Sequence, residues 1–256
     1  MIERRVLHRE IAIVMGLSLG ASAIWSVLRI IERLTREVPL SAQTSALNTS
    51  VTPDRPWLDL AYQLVGIALA VVPVALALHL LATSLPPARP GIRNALRTLG
   101  LDRSHPWRDL GQGALLAALI GIPGLGFYLA ARALGFNTQI AAANLGQTWW
   151  AVPVLILSAL QNGLLEEALV VGYLLTRLDQ AGWPWRWAVA ASALLRGAYH
   201  LYQGFGGFLG NVVMGVVFAL VWRRTRRVAP LVVAHTLIDV VAFLGYAVLH
   251  GRVGWL

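Results

Sequence analysis

Glu166 and Glu167 stand side by side within the apolar run 151–175. A charge at the centre of a bilayer costs at least about 2.5 kcal/mol, and intramembrane carboxylates mark functional sites by default. Polar side chains on later apolar segments could meet them: Arg196, His200, Asn211, His235 and Asp239. Arg196 and His200 are four residues apart, as are His235 and Asp239, so each pair shares a helix face. Neighbouring helical residues point about 100° apart. One glutamate can therefore face a cavity while the other pairs with a helper, for which Arg196 is the obvious cation. Carboxylates and imidazoles gathered around water are the parts of a general acid–base device.

The segments that must position these groups are membrane spans. The chain has 256 residues, 57% hydrophobic and 13% charged, with a mean hydropathy of +0.64. That is too apolar for a soluble domain. Uncharged runs of 18 or more residues read as transmembrane helices, and the short alternating strands of a membrane barrel are missing. Seven spans are predicted, near 11–31, 59–83, 109–132, 150–176, 186–202, 206–222 and 229–249. The fold class is thus all-α, a polytopic helical bundle. Residues 1–256 form one integral membrane domain, with the chemistry at about 150–250. Ile92, Leu96 and Leu99 against Arg93 and Arg97 suit a short interfacial helix near 90–102, an eighth helix, with a solvated loop as the alternative.

The net charge is +9, and all 21 basic residues are Arg. They fall in alternate gaps between spans, which is the positive-inside pattern. This accounts for the charge without nucleic acid as a partner. It places the amino terminus in the cytoplasm and the carboxyl terminus outside a bacterial plasma membrane. Cysteine is absent, so disulfides and thiolate chemistry are excluded. The first span begins like a signal peptide but stays apolar through Ile31, and reads as uncleaved. The motif Gly121-Ile122-Pro123-Gly124 is expected to kink the third span.

Measured from the Arg-rich boundary at about 1.5 Å per residue, Glu167 and Arg196 lie about 15 Å deep. Asn211 and Asp239 lie at about 16 Å, His235 at about 10 Å and His200 at about 21 Å. Four spans thus supply one polar layer. Arg29 and Arg132 sit near span ends and can snorkel. Asp59 and Asp109 suit helix N-termini. Tyr199, Tyr202 and the tryptophans read as an interfacial belt. His8, His79, His105 and His250 read as bystanders.

The order of these residues resembles the CPBP family, the CAAX-processing and bacteriocin-processing (Abi) membrane proteins. Its signature is Glu-Glu-x-x-x-Arg on one span, Phe-x-x-x-His on the next and His-x-x-x-Asn on a later one. Here Glu166-Glu167 precede Val171, Arg196 precedes His200, and His235 precedes Asp239, across 164–243. The resemblance implies a glutamate-dependent endopeptidase without a cofactor. Glu166 would be the base, Glu167 its partner, and His200 and His235 would bind or polarise water and substrate. Implied substrates are membrane-associated peptides or proteins, lipidated ones included. The rival mechanism is a divalent metal on Glu166, His200 and His235. Rival functions are a catalytically lapsed membrane adaptor or immunity protein and, less favoured, a proton-coupled transporter, which usually shows internal repeats.

This chain departs from the pattern at three places. Val171 replaces the family Arg, Arg196 replaces the Phe, and Asp239 replaces the Asn. Arg196 is expected to supply from the neighbouring span the missing cation and to pair with Glu167. Asp239 as a carboxylate accepts hydrogen bonds and repels an oxyanion. It is expected to be protonated, to orient His235, or to leave the donor role to another group, Asn211 being the candidate; the alternative for Asn211 is hydrogen-bonding between helices. The cavity is expected to open toward the cytoplasm.

Overall fold

The computed structural model describes residues 3–84 and 91–253. The chain runs through α1 (Arg4–Gly16), α2 (Leu19–Leu34), α3 (Pro56–Ala70), α4 (Val72–Ser84), α5 (Ile92–Leu99) and α6 (Pro106–Ala133). Then come α7 (Ala151–Glu166), a π-helical segment (Glu167–Tyr173), α8 (Leu174–Gln180), α9 (Trp185–His200), α10 (Phe205–Thr225) and α11 (Ala229–Leu249). Among the described residues, five continuous helical stretches are long and apolar enough to cross a bilayer: Pro56–Ser84, Pro106–Ala133, Ala151–Gln180, Phe205–Thr225 and Ala229–Leu249. The pair α1–α2, bent by 55°, makes a sixth.

The seventh segment expected is α9. Its 16 residues fall short of the roughly 20 that a free span needs. It is not a lipid-facing rod, because α2 and α10 pack along it. Gly215 permits this, since a Cβ there would stand 2.9 Å from the Ala193 Cα and 3.3 Å from the Arg196 side chain. The break between α3 and α4 has a local cause. Pro73 lacks the amide that would continue α3, so the chain restarts as α4. Pro123, by contrast, leaves α6 unbroken.

Cross-links identify the two ends of the bundle. At the Arg-rich end, Arg177 is wholly buried. Its Nε donates to Glu10 Oε1 (2.7 Å), and its Nη groups donate to Gln180, the Leu80 carbonyl and Ser84. Arg227 clamps Asp109 through two bonds of 2.7 Å and donates to Asp102 at 2.9 Å. The Ser104 hydroxyl and Arg227 together hold Asp102 down to about 2, so this latch stays charged at ordinary pH. Two arginines that read as exposed topology signals are therefore structural, and Asp109 is more than a helix-end charge. Asp59 likewise accepts from the Val51 and Thr52 amides.

At the other end, loops zip together. Strands β1 (Thr44–Ala46) and β2 (Gln139–Ala141) form a parallel ribbon. Ser45 meets Thr138 at 2.8 Å, and the Thr138 amide donates to the Gln203 carbonyl at 2.9 Å. The Gly207 amide donates to the buried Asn137. Gly204, at φ +117°, makes the turn into α10 against Asn137. Helix α5 occupies the stretch where an interfacial helix was expected, Pro90 lying outside the described residues. Its Ala95 and Leu99 are fully buried, so it docks on the protein.

The chain lacks cysteine, so single replacements can report these ends cleanly. Both Gln147, at the ribbon end, and Arg224, at the Arg-rich end, are exposed. A membrane-impermeant maleimide applied to intact cells is expected to label Gln147→Cys and to spare Arg224→Cys until the cells are opened. Labelling of both from outside would overturn the arrangement of ends.

Candidate active site

The site lies where α7, the π-segment, α9 and α11 meet. A π-turn carries i→i+5 bonding and interrupts α-helical register, often at functional sites. It starts at Glu167, and the Val170 carbonyl accepts the Ser192 hydroxyl of α9 at 2.8 Å. On the opposite side, Gly163 lets α11 approach α7: a Cβ there would stand 3.0 Å from the Val232 carbonyl and 2.7 Å from Thr236. These two close approaches carry Arg196 and His235 to the glutamates.

Both carboxylates reach the same cluster. Arg196 Nη2 donates to Glu167 Oε1 and Oε2 at 2.7 and 2.6 Å, and its Nη1 lies 3.5 Å from Glu166 Oε2. The His235 Nδ1 hydrogen goes to Glu167 Oε1 at 2.7 Å. Tyr199 donates to Glu166 Oε2 at 2.7 Å. The Phe218 ring lies 5.4 Å from the guanidinium carbon. The expected Arg196–Glu167 pair is therefore formed, with Val171 buried in the π-segment where the family has its Arg.

One turn toward the ribbon lies a second layer. α7 descends from the ribbon end, whereas α9 and α11 rise toward it. Asn162, His200 and Asp239 thus each sit four residues nearer the ribbon than Glu166, Arg196 and His235 respectively. Asn162 Nδ2 donates to Asp239 Oδ2 at 3.0 Å. Asp239 Oδ1 lies 3.8 Å from His235 Nε2, too far for a hydrogen bond. His200 Nδ1 donates to the Arg196 carbonyl at 3.1 Å, which leaves Nε2 as the basic atom of the neutral ring.

The layers differ in access. The side chains of Glu167 and Arg196 are 0% exposed, whereas Glu166 keeps 11% and Asp239 keeps 19%. Toward the Arg-rich end the cluster is closed by Leu99, Gly172 and Val228, which pack together fully buried. That packing lies on the side where the opening was expected. Of the two groups that keep exposure, Asp239 lies one turn nearer the ribbon than His235.

Asn211 is not drawn into the cluster, because its amide donates to Gly207 of its own helix at 3.0 Å. Two participants escaped the reading of the sequence. Tyr199 is a buried partner of Glu166 and not an interfacial residue. Asn162 stands one turn before Glu166 on the same face, and a carboxamide in an apolar run was the available signal. His8 is also engaged, accepting the Trp183 indole hydrogen at 2.9 Å.

The trio whose ligand atoms approach within 4.8 Å is Glu166, Glu167 and His235, so His200 is outside the metal set expected. This donor set does not fit a divalent ion as held. Glu167 gives both oxygens to Arg196, and His235 Nδ1 carries the hydrogen it donates. The guanidinium already occupies the place of a cation.

Removing one member of a buried ion pair strands the other charge, at a cost of about 3–5 kcal/mol. Arg196→Ala is expected to lower the thermal stability of the detergent-solubilised protein by that order. The double variant Val171→Arg/Arg196→Phe, which returns the cation to the π-segment, is expected to recover much of it. A double variant no more stable than Arg196→Ala would remove the compensation.

Residues 148–241 match the family model described as type II CAAX prenyl endopeptidase Rce1-like. No curated protein and no solved structure matches the chain. The matched segment holds Asn162, both glutamates, Tyr199, both site histidines and Asp239, and the match supports the resemblance of this part of the chain to the CPBP family.

Proposed function

We propose that this protein is a membrane-embedded endopeptidase that cleaves a peptide bond with water activated by Glu166. The observation that carries this reading is the unequal treatment of the two glutamates. Glu167 is wholly buried and held by Arg196 and His235. Glu166 is anchored through Oε2 alone and keeps partial exposure. A carboxylate fixed through one oxygen and open at the other suits a general base.

In this mechanism Glu166 takes a proton from water as the water oxygen bonds to the substrate carbonyl carbon. The carbonyl π pair moves onto oxygen. When it returns, the carbon–nitrogen bond breaks, and the leaving nitrogen takes the proton from Glu166. His200, through its free Nε2, and His235 assist in holding water and substrate. Arg196 keeps Glu167 in place and carries no proton. No cofactor is required, since the charge that a metal would supply comes from the guanidinium. The substrate is a membrane-associated peptide or protein, lipidated ones included, in a bacterial plasma membrane. The amino terminus is cytoplasmic, so the accessible layer lies toward the outer face.

The test is comparative peptidomics of membranes from cells making wild type or Glu166→Gln. Products present with wild type and lost with a well-folded Glu166→Gln are expected. Identical product sets would contradict peptidase activity. A deletion phenotype rescued equally by Glu166→Gln would favour a non-catalytic membrane adaptor, the reading to which Asp239 lends support. Tyr199→Phe, which removes one hydrogen bond to a charged group, is expected to slow product formation about ten-fold with the fold intact. A rate unchanged by that variant would remove Tyr199 from the positioning of Glu166.

A further inference from the structure

We propose that Asn162 supplies the hydrogen bond that meets the negative charge developing on the carbonyl oxygen of the cleaved bond. This inference rests on the glutamate-activated hydrolysis proposed above. The attack of water turns a carbonyl oxygen into an oxyanion. In a low-dielectric site that charge needs a preorganised donor within about 3 Å.

Most donors that touch the glutamates are already committed, while the Thr236 hydroxyl beside Gly163 is buried without a partner and has no exposed surface to offer a substrate. Arg196 spends its terminal nitrogens on Glu167 and Glu166, and its unpartnered Nε is sealed in a side chain with no exposure. Tyr199 has one hydroxyl hydrogen, and Glu166 accepts it. His235 and His200 spend their Nδ1 hydrogens on Glu167 and on the Arg196 carbonyl. Asn211 stands on α10, outside the elements that carry the cluster, and bonds Gly207 of its own helix with one N–H. The Asn162 carboxamide has two N–H groups and uses one on Asp239. It is half-buried, on the accessible side of the site.

Its position suits the role. Asn162 and Glu166 are one turn apart on one face of α7, with Cβ atoms about 5–6 Å apart. A carbonyl lying across that face would present its carbon to a water on Glu166 and its oxygen to Asn162. Asp239 then has a defined task. A carboxylate only accepts, so it selects the amide nitrogen over the amide oxygen and aims the second N–H. The acidic side chain at 239 thereby orients a donor carried by the facing helix.

The test measures how fast product peptides appear after induction, per unit of folded protein. It compares wild type, Asn162→Ala, the swap Asn162→Asp/Asp239→Asn, and Glu166→Gln. Asn162→Ala is expected to be about 100-fold slower, the usual effect of deleting one such donor. The swap keeps one carboxamide and one carboxylate in contact and is expected to recover at least about ten-fold over Asn162→Ala. Wild-type-like rates for Asn162→Ala, or a loss no larger than its loss of folded protein, would overturn the donor role. Should Asn162→Ala fail to accumulate, the swap decides, and a folded but inactive swap overturns it. Products lost in Glu166→Gln but retained in Asn162→Ala would refute this inference alone. Products retained in both would refute the hydrolysis reading and this one with it.

Discussion

The structure depends on one buried cation. Arg196 enters the bundle centre from α9 with no exposed surface and binds both oxygens of Glu167. A carboxylate or guanidinium alone at that depth would cost several kcal/mol, and the pair is tolerable only with near-complete hydrogen bonding. His235 supplies a further bond to Glu167, and Phe218 covers the guanidinium. That requirement fixes the separations of α7, α9 and α11, because shifting any one of them strands a charge. The small residues at Gly163 and Gly215 are what let the helices come near enough.

The second layer follows from the first. With Glu167, Arg196 and His235 locked together, the residues one turn nearer the ribbon gather above them without needing to hold the fold. Glu166 joins the layers, tied through one oxygen by Tyr199 and partly exposed. Stability and chemistry are thereby divided between adjacent glutamates. The bonds that hold Glu167 belong to the core, and the freedom of Glu166 belongs to the site. A similar division appears at the π-segment, whose far end is pinned where Tyr173 donates to Glu10 at 2.6 Å. The Arg-rich end is thus sealed by ion pairs, and what exposure the cluster has lies toward the ribbon.

Much of this was legible in the sequence, for physical reasons. Bilayer thickness makes spans visible as uncharged runs, and their boundaries match the helices within a few residues except at the first, which is divided between α1 and α2. The cost of burying charge made Glu166, Glu167, Arg196, His235 and Asp239 conspicuous, and the Arg196–Glu167 pair followed from the exchange at Val171 and Arg196. What was hidden depends on tertiary contact. Neither the π-turn nor the 55° bend after α1 has a periodic signature. Tyr199 reads as interfacial because tyrosine suits that zone equally well, and only α7 beside it turns its hydroxyl to Glu166. Arg177 and Arg227 count as flanking charges until Glu10, Asp102 and Asp109 are seen to reach them. The parallel ribbon joins segments nearly a hundred residues apart, which no local pattern announces.

The most direct test of the buried pair is a double-mutant cycle on unfolding in detergent, with Glu167→Gln, Arg196→Met and the two combined. Residues joined in one buried network couple by about 0.5–3 kcal/mol, whereas independent sites add within about 0.5 kcal/mol. The account predicts coupling at the upper end of that range, with the double variant less damaged than the sum of the singles. Additive effects would show that Arg196 and Glu167 do not hold one another, and the layered site would lose its foundation.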